Sequence, residues 1–219
     1  MRSRIFVVIL ALLPLVVPAS PALAGGVVSI CDETHLLAAL ADGGVVTFRC
    51  SGTILLTNTI TVVVDTALDG GGQNVTISGN DVVGVFQLNP YATLDLNNLT
   101  ITNGNAVYGN GGGIDNDRGT VIVRNSTFSG NIGDFGGAID NRYGVLTIHN
   151  STFSGNGAGF TTTTGGAIRN FHGSVTIRNS TFDSNRASSA AGAIENYSGT
   201  MSVSNSTIVG NRANDGGGI

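Results

Sequence analysis

Along the second half of the chain, apolar and polar residues alternate in short bursts, and no helical period runs through them. Val121 and Val123 alternate with Ile122 and Arg124, and Leu146 and Ile148 with Thr147 and His149. Val175 and Ile177 alternate with Thr176 and Arg178, and Met201 and Val203 with Ser202 and Ser204. A period of two predicts strands with one face turned inward. Carried one step further, the same parity puts Asn125, Asn150, Asn179 and Asn205 on the inward row. A second burst centres on Phe128, Phe153, Phe182 and Ile208, and a third on Ile114, Ile139, Ile168 and Ile194.

These bursts belong to one repeat. It reads GGGIDNDRGTVIVRNSTFSGN from Gly111, GGAIDNRYGVLTIHNSTFSGN from Gly136, GGAIRNFHGSVTIRNSTFDSN from Gly165 and AGAIENYSGTMSVSNSTIVGN from Ala191. The repeat isoleucines, ending with Ile219, are spaced 25, 29, 26 and 25 residues apart. Within each unit the Ile precedes the first Asn of this set by 11 residues, and that Asn precedes Asn131, Asn156, Asn185 or Asn211 by 6. All length variation falls after the second Asn. A rigid frame with one variable loop is the signature of a solenoid. Three short strands per unit predict an all-β, parallel β-helix of about 25 residues per coil, each strand pairing with its copy about 4.8 Å away.

Gly and Asn then acquire reasons. Corners need φ > 0, which both supply cheaply, and Gly119, Gly144, Gly173 and Gly199 mark one corner of every unit. An inward Asn in each coil can stack on its copies, so Asn125, Asn150, Asn179 and Asn205 are the expected ladder. Upstream the pattern is weaker. Leu94, Leu96, Asn98 and Ile101 to Asn105 match the frame with one extra residue. The segments 68–80 and 45–60 read as less regular coils. Asp32 to Asp42 is the only helix candidate, with Leu36, Leu37 and Leu40 on one side, and would cap the open edge of the first coil. The organisation expected is a leader over 1–24, a cap and first coil over 25–60, and a β-helix over 61–219. The last GGGI stops mid-motif, as in a piece of a longer protein.

Composition narrows the class. The 219 residues hold 33 glycines and 22 asparagines, no lysine, and only 11% charged residues. Arg2 and Arg4, the apolar run from Ile5 to Val17 and Ala22-Leu23-Ala24 form a secretory signal with a small-residue cleavage site. Fourteen acidic residues against eight arginines remain beyond it, a net charge of −6. With no basic cluster, nucleic acid is not an expected partner. No later stretch is apolar enough to span a membrane. Cys31 and Cys50 most simply pair in an exported chain; a catalytic thiol assisted by His35 is the alternative.

The alternation of GGAI (with its GGGI and AGAI variants) and F-x-x-N, as in Phe128 to Asn131, Phe153 to Asn156 and Phe182 to Asn185, resembles the repeat pair of the chlamydial polymorphic membrane proteins. It is similar also to the pectin-lyase-like β-helix repeat proteins of environmental bacteria. The match covers the half of the chain from Gly111 on, and the last unit departs with Ile208 in place of Phe. The resemblance implies a right-handed β-helix at the cell surface, with adhesion as its role; the leading expectation is a secreted or surface-displayed solenoid that binds a glycan or a host or cell surface through its flank and loops.

β-helices also host polysaccharide lyases and hydrolases, so an enzyme is the alternative. Its candidates are Asp115, Asp140, Arg169 and Glu195, the outward row beside the GGxI strand. Asp117 and Arg142 lie in the next row, then Arg118, Tyr143 and His172 at the corner. Arg124, His149 and Arg178 lie on the strand after it. Two carboxylates one coil apart can do acid–base work. Cross-coil ion pairs on a solvated flank are the plainer account. No cofactor or metal motif is present, and no NTD, GHG or RIK motif of the polygalacturonase type. The sequons at Asn125, Asn150, Asn179 and Asn205 read as structural, because inward asparagines are out of reach of a glycosylating enzyme. Thr161, Thr162, Thr163 and Thr164 insert into the variable loop as a candidate binding tip. An ice-binding solenoid needs a regular Thr row, and Thr120, Val145, Ser174, Thr200 is too irregular to be one.

Overall fold

The alternating bursts form parallel strands, each hydrogen-bonded to its copy in the next coil. The computed structural model describes residues 25–158 and 164–219. The leader at 1–24 and Thr161, Thr162 and Thr163 of the insertion lie outside the described residues.

Three long sheets run along a solenoid. An eight-stranded sheet contains Thr120–Arg124, Val145–His149, Ser174–Arg178 and Thr200–Ser204. A seven-stranded sheet contains Thr127–Ser129, Thr152–Ser154, Thr181–Asp183 and Thr207–Val209. A six-stranded sheet contains Ile114–Asp117, Ile139–Arg142, Ile168–Phe171 and Ile194–Tyr197. The register follows the repeat, with Ile114 beside Ile139, Ile139 beside Ile168 and Ile168 beside Ile194. The upstream segments join the same sheets, Gly44–Phe48 pairing with Thr66–Asp69 and that with Thr93–Asn97. A fourth, three-stranded sheet of Asn105–Asn110, Ile132–Phe135 and Gly157–Ala158 fills the variable side, where no alternation foretells a strand.

Inside the coils the apolar rows are buried up to Ile194, and Met201, Val203 and Ile208 of the last described coil are partly buried. Phe128, Phe153 and Phe182 stack with centroids 4.9 and 4.8 Å apart and planes within 9°. Burying such a side chain contributes roughly 1.5–3 kcal/mol.

The inward parity expected for Asn125, Asn150, Asn179 and Asn205 fails at the corner. Their φ values are 49°, 51°, 51° and 50°, and all four are exposed. The left-handed step rotates the chain, so the inward place passes to the next residue: Ser126, Ser151 and Ser180 are buried. Ser126 Oγ donates to the Arg124 carbonyl at 2.7 Å and accepts the Leu99 N–H of the adjacent coil at 3.2 Å. The corner asparagines do stack, but on the outside: Asn125 Nδ2 donates to Asn97 Oδ1 at 2.9 Å, and Asn150 to Asn125 at 3.3 Å. The reason given for dismissing the sequons therefore falls with the parity.

Two other asparagine rows run through the interior. Asn116, Asn141, Asn170 and Asn196 are linked by Nδ2-to-Oδ1 bonds of 2.7, 2.8 and 2.6 Å. Asn131, Asn156, Asn185 and Asn211 are linked at 3.0, 2.9 and 2.9 Å. Apart from Asn116 Oδ1, which has no partner at the head of its row, the buried amides are satisfied along the axis, which makes a polar core tolerable.

The corner glycines also serve a different purpose from the one expected. Positive φ falls one residue earlier, on Arg118, Tyr143, His172 and Ser198. Gly144 is glycine because of space: a Cβ there would lie 2.4 Å from Asn116 Nδ2 and 2.7 Å from Asn141 Oδ1. The Asn141 amide also donates to the Gly144 carbonyl at 3.1 Å. Asn-x-x-Gly is one device, an interior amide with the room it needs.

The helix is Glu33–Leu40, with Asp32 as its N-cap accepting the His35 N–H at 2.8 Å. That bond holds the Asp32 carboxyl below its ordinary value. Leu36 is buried, whereas Leu37, expected on the same side, is 46% exposed. Glu33 accepts the Thr57 N–H and hydroxyl at 2.8 Å, tying the helix to the turn after Leu56. Cys31 and Cys50 form a disulfide with Cα atoms 5.6 Å apart, and no cysteine is free among the described residues. Among those residues no helix is long and apolar enough to cross a membrane.

Candidate functional site

The six-stranded sheet presents the chemistry. Ile114, Ile139 and Ile168 point inward, so the next residue on each strand faces out, and register aligns Asp115, Asp140, Arg169 and Glu195. The outward row two residues on is Asp117, Arg142, Phe171 and Tyr197. At the corner beyond stand Arg118, Tyr143 and His172, held at positive φ.

The first row closes on itself. Arg169 grips Asp140 with two bonds, Nε to Oδ1 at 2.7 Å and Nη2 to Oδ2 at 3.0 Å. Arg142 Nη2 donates to Asp115 Oδ1 at 3.0 Å. Its Nε lies 3.2 Å from Asp140 Oδ2 but is not aligned to donate to it. Asp140 has 0% exposure. Burial pushes its carboxyl up to about 6, against the opposing pull of Arg169 and Arg142. The Arg169 guanidinium lies 3.8 Å from the centre of the Phe135 ring, which shields it in turn. Glu195 stands apart and accepts the Thr164 hydroxyl. Three of the four proposed catalytic residues thus meet, with Arg142 as the linking fourth, but as a paired charge chain whose central carboxylate has both oxygens engaged and no surface.

The second row and the corner make an open surface. The Tyr143 and His172 rings stack at 5.4 Å and 3°, and the Phe171 and Tyr197 rings at 5.3 Å and 9°. The two stacks meet edge to face, Phe171 against His172 at 4.4 Å and Tyr143 at 5.7 Å. The Arg118 guanidinium sits 5.3 Å over Tyr143. Tyr143 and Tyr197 are 51% and 54% exposed. In a chain with 6% aromatic residues and no Trp, four contiguous exposed or half-exposed rings form an unusual patch. Stacking covers the faces between the rings, and Arg118 covers the far face of Tyr143, so the patch offers ring edges and the outer faces of His172 and Tyr197.

The remaining candidates do not converge. Arg124, His149 and Arg178 lie in register along the outer face of the eight-stranded sheet. Thr164 bridges Phe135 and Ala190. The sequence placed Tyr143 and His172 in one outward row but gave no role to Phe171 and Tyr197, although the parity from the repeat isoleucines carries them outward as well. It also passed over Asn116, Asn141 and Asn170, whose signal was their fixed place two residues after each isoleucine.

No protein-family model matches the chain, and no curated protein or solved structure is significantly similar to it.

Proposed function

We propose that this chain is an exported, right-handed β-helix of the polymorphic-membrane-protein type that binds glycans through its flank, rather than an enzyme. The observation that carries this reading is the ridge of Tyr143, His172, Phe171 and Tyr197. A pyranose ring has an apolar C–H face and a hydroxyl rim. The outer faces of the two stacks, on His172 and Tyr197, suit the first, and guanidinium donors such as Arg118 suit the second. Held on corners and strands of a rigid solenoid, the rings lose little freedom on binding. The GGAI and F-x-x-N alternation supports a surface-displayed adhesive role. The buried, fully paired state of Asp140 weighs against the lyase or hydrolase alternative.

The test is binding of the purified chain to a glycan panel. Replacing Tyr143 and Tyr197 together by Ala should abolish binding while leaving the melting temperature near wild type, since both side chains are half exposed. Undiminished binding by that variant would overturn the assignment. So would cleavage of an acidic polysaccharide that disappears in Asp140→Asn.

A further inference from the structure

We infer that the outer face of the seven-stranded sheet is a second binding surface, one that takes the ordered water lattice of ice. The inference is independent of the aromatic ridge, which lies on a different sheet.

The face carries an unbroken threonine row. Register pairs Thr53 with Thr76, Thr76 with Thr100, Thr100 with Thr127, Thr127 with Thr152, Thr152 with Thr181 and Thr181 with Thr207. Every strand of the sheet contributes one threonine, with no shift between strands. The residues that follow them, Ile54, Ile77, Ile101, Phe128, Phe153 and Phe182, are buried, which fixes the threonines outward. Two residues before them runs the exposed corner row of Asn125, Asn150, Asn179 and Asn205. Two residues after them come Thr102, Ser129 and Ser154. The result is a two-dimensional array of hydroxyls and amides, interrupted in the last row by exposed Leu55 and Val209 and by Asp183. Its repeat is about 4.8 Å along the axis and about 7 Å across it, fixed by strand spacing and residue rise.

The usual reason for threonine on an exposed strand is β-propensity and cross-strand pairing. That reason applies equally to the outward rows of the neighbouring sheets. Those rows are mixed: Thr120, Val145, Ser174 and Thr200 in one, Ile122, Thr147, Thr176 and Ser202 in the next. Only the row on the seven-stranded sheet is invariant. It stays so in the upstream coils, where the GGxI and F-x-x-N signals are absent. Propensity does not distinguish one row from its neighbours, whereas a ligand with a fixed lattice does.

The chemistry narrows that ligand. Each threonine offers a hydroxyl and a methyl from a side chain stiff at its first torsion. Among the described residues the hydroxyls of the seven-threonine row donate to no protein group, whereas Thr102 beside them donates to the Ser129 carbonyl at 2.7 Å. The face has one ionisable side chain in these rows, Asp183, and no aromatic ring. A crystalline polysaccharide would call for rings to stack on its sugars, and those rings are on the other flank. A neutral, rigid lattice of donors and acceptors beside methyl groups matches ordered water.

The test uses the purified chain and growing ice. The protein should partition into the ice, shape its crystals and give thermal hysteresis. Thr152→Lys, at the middle of the row, should lose all three with an unchanged circular dichroism spectrum and melting temperature. Val145→Lys, on the neighbouring sheet, should lose none. Exclusion of the wild-type protein from ice would overturn the inference, as would full activity of Thr152→Lys. Binding to crystalline cellulose or chitin in place of ice would overturn it too. The Tyr143 and Tyr197 variant should keep its ice affinity, so failure here is distinguishable from failure of the glycan assignment.

Discussion

Asparagine occupies three stacked rows in this protein, and its worth differs between them by burial. Asn141 accepts from Asn116 at 2.7 Å, donates to Asn170 at 2.8 Å and donates to the Gly144 carbonyl, all in the interior. Asn141→Leu leaves the Asn116 amide and the Gly144 carbonyl short of a partner. Each buried orphan costs about 1–3 kcal/mol. Asn150 makes comparable bonds at the surface, where water replaces them, and its replacement by Ala loses chiefly the left-handed preference, about 1–2 kcal/mol. Urea melts of the two variants should therefore show the larger loss for Asn141→Leu. Equal losses would mean that the interior row is no more than a surface ladder turned inward. Gly144→Ala should resemble the interior variant, because its Cβ would lie 2.4 Å from Asn116 Nδ2. That asparagines stack was legible from their recurrence. Which ones stack inside was not, because strand parity reads straight through a corner where a φ near +50° turns the chain.

At the scale of elements, the three long sheets were legible from alternation and fixed spacing. The strip of Ile132–Phe135 was not, because its Gly and Asp residues carry no period. The outward rows could likewise be assigned by parity from each isoleucine. The closure of the Asp–Arg chain could not, since it depends on how far an arginine of one strand reaches across to the carboxylate of the next. The chain has a consequence for pH. Asp140 has an ordinary value of 3.8 and a folded value of about 6. Between those values the folded protein keeps the proton and the unfolded protein has lost it. Stability from this group is therefore present at low pH, falls as pH rises from about 4, and is fully lost above about 6. Asp140→Asn does not titrate. The melting temperature of the variant relative to wild type should be more favourable at pH 7 than at pH 4.5. The opposite ordering would show that Arg169 and Arg142 outweigh burial.

Over the whole molecule, the contacts are between neighbouring coils, so stability is close to a sum of coil terms and nearest-neighbour terms. Such a fold frays from its ends. At the N-terminal end the Cys31–Cys50 disulfide, with 19 residues of separation, and the helix Glu33–Leu40 close the first coil. Glu33 adds bonds to Thr57 at 2.8 Å. A cross-link over a loop of this size contributes about 3 kcal/mol by constraining the unfolded chain. In a globular domain that loss would spread through one cooperative core. Here it should stay local. Replacing both Cys31 and Cys50 by Ser should remove amide hydrogen-exchange protection from Val28 to about Leu56. The Phe128, Phe153 and Phe182 coils, sealed by their own stack and by both interior asparagine rows, should exchange as before. Uniform loss of protection along the chain would mean that the cap nucleates the whole solenoid and that the coils do not stand on nearest-neighbour terms. Unchanged protection at Val46 and Ile54 would mean that the helix and Glu33 hold the first coil without the cross-link.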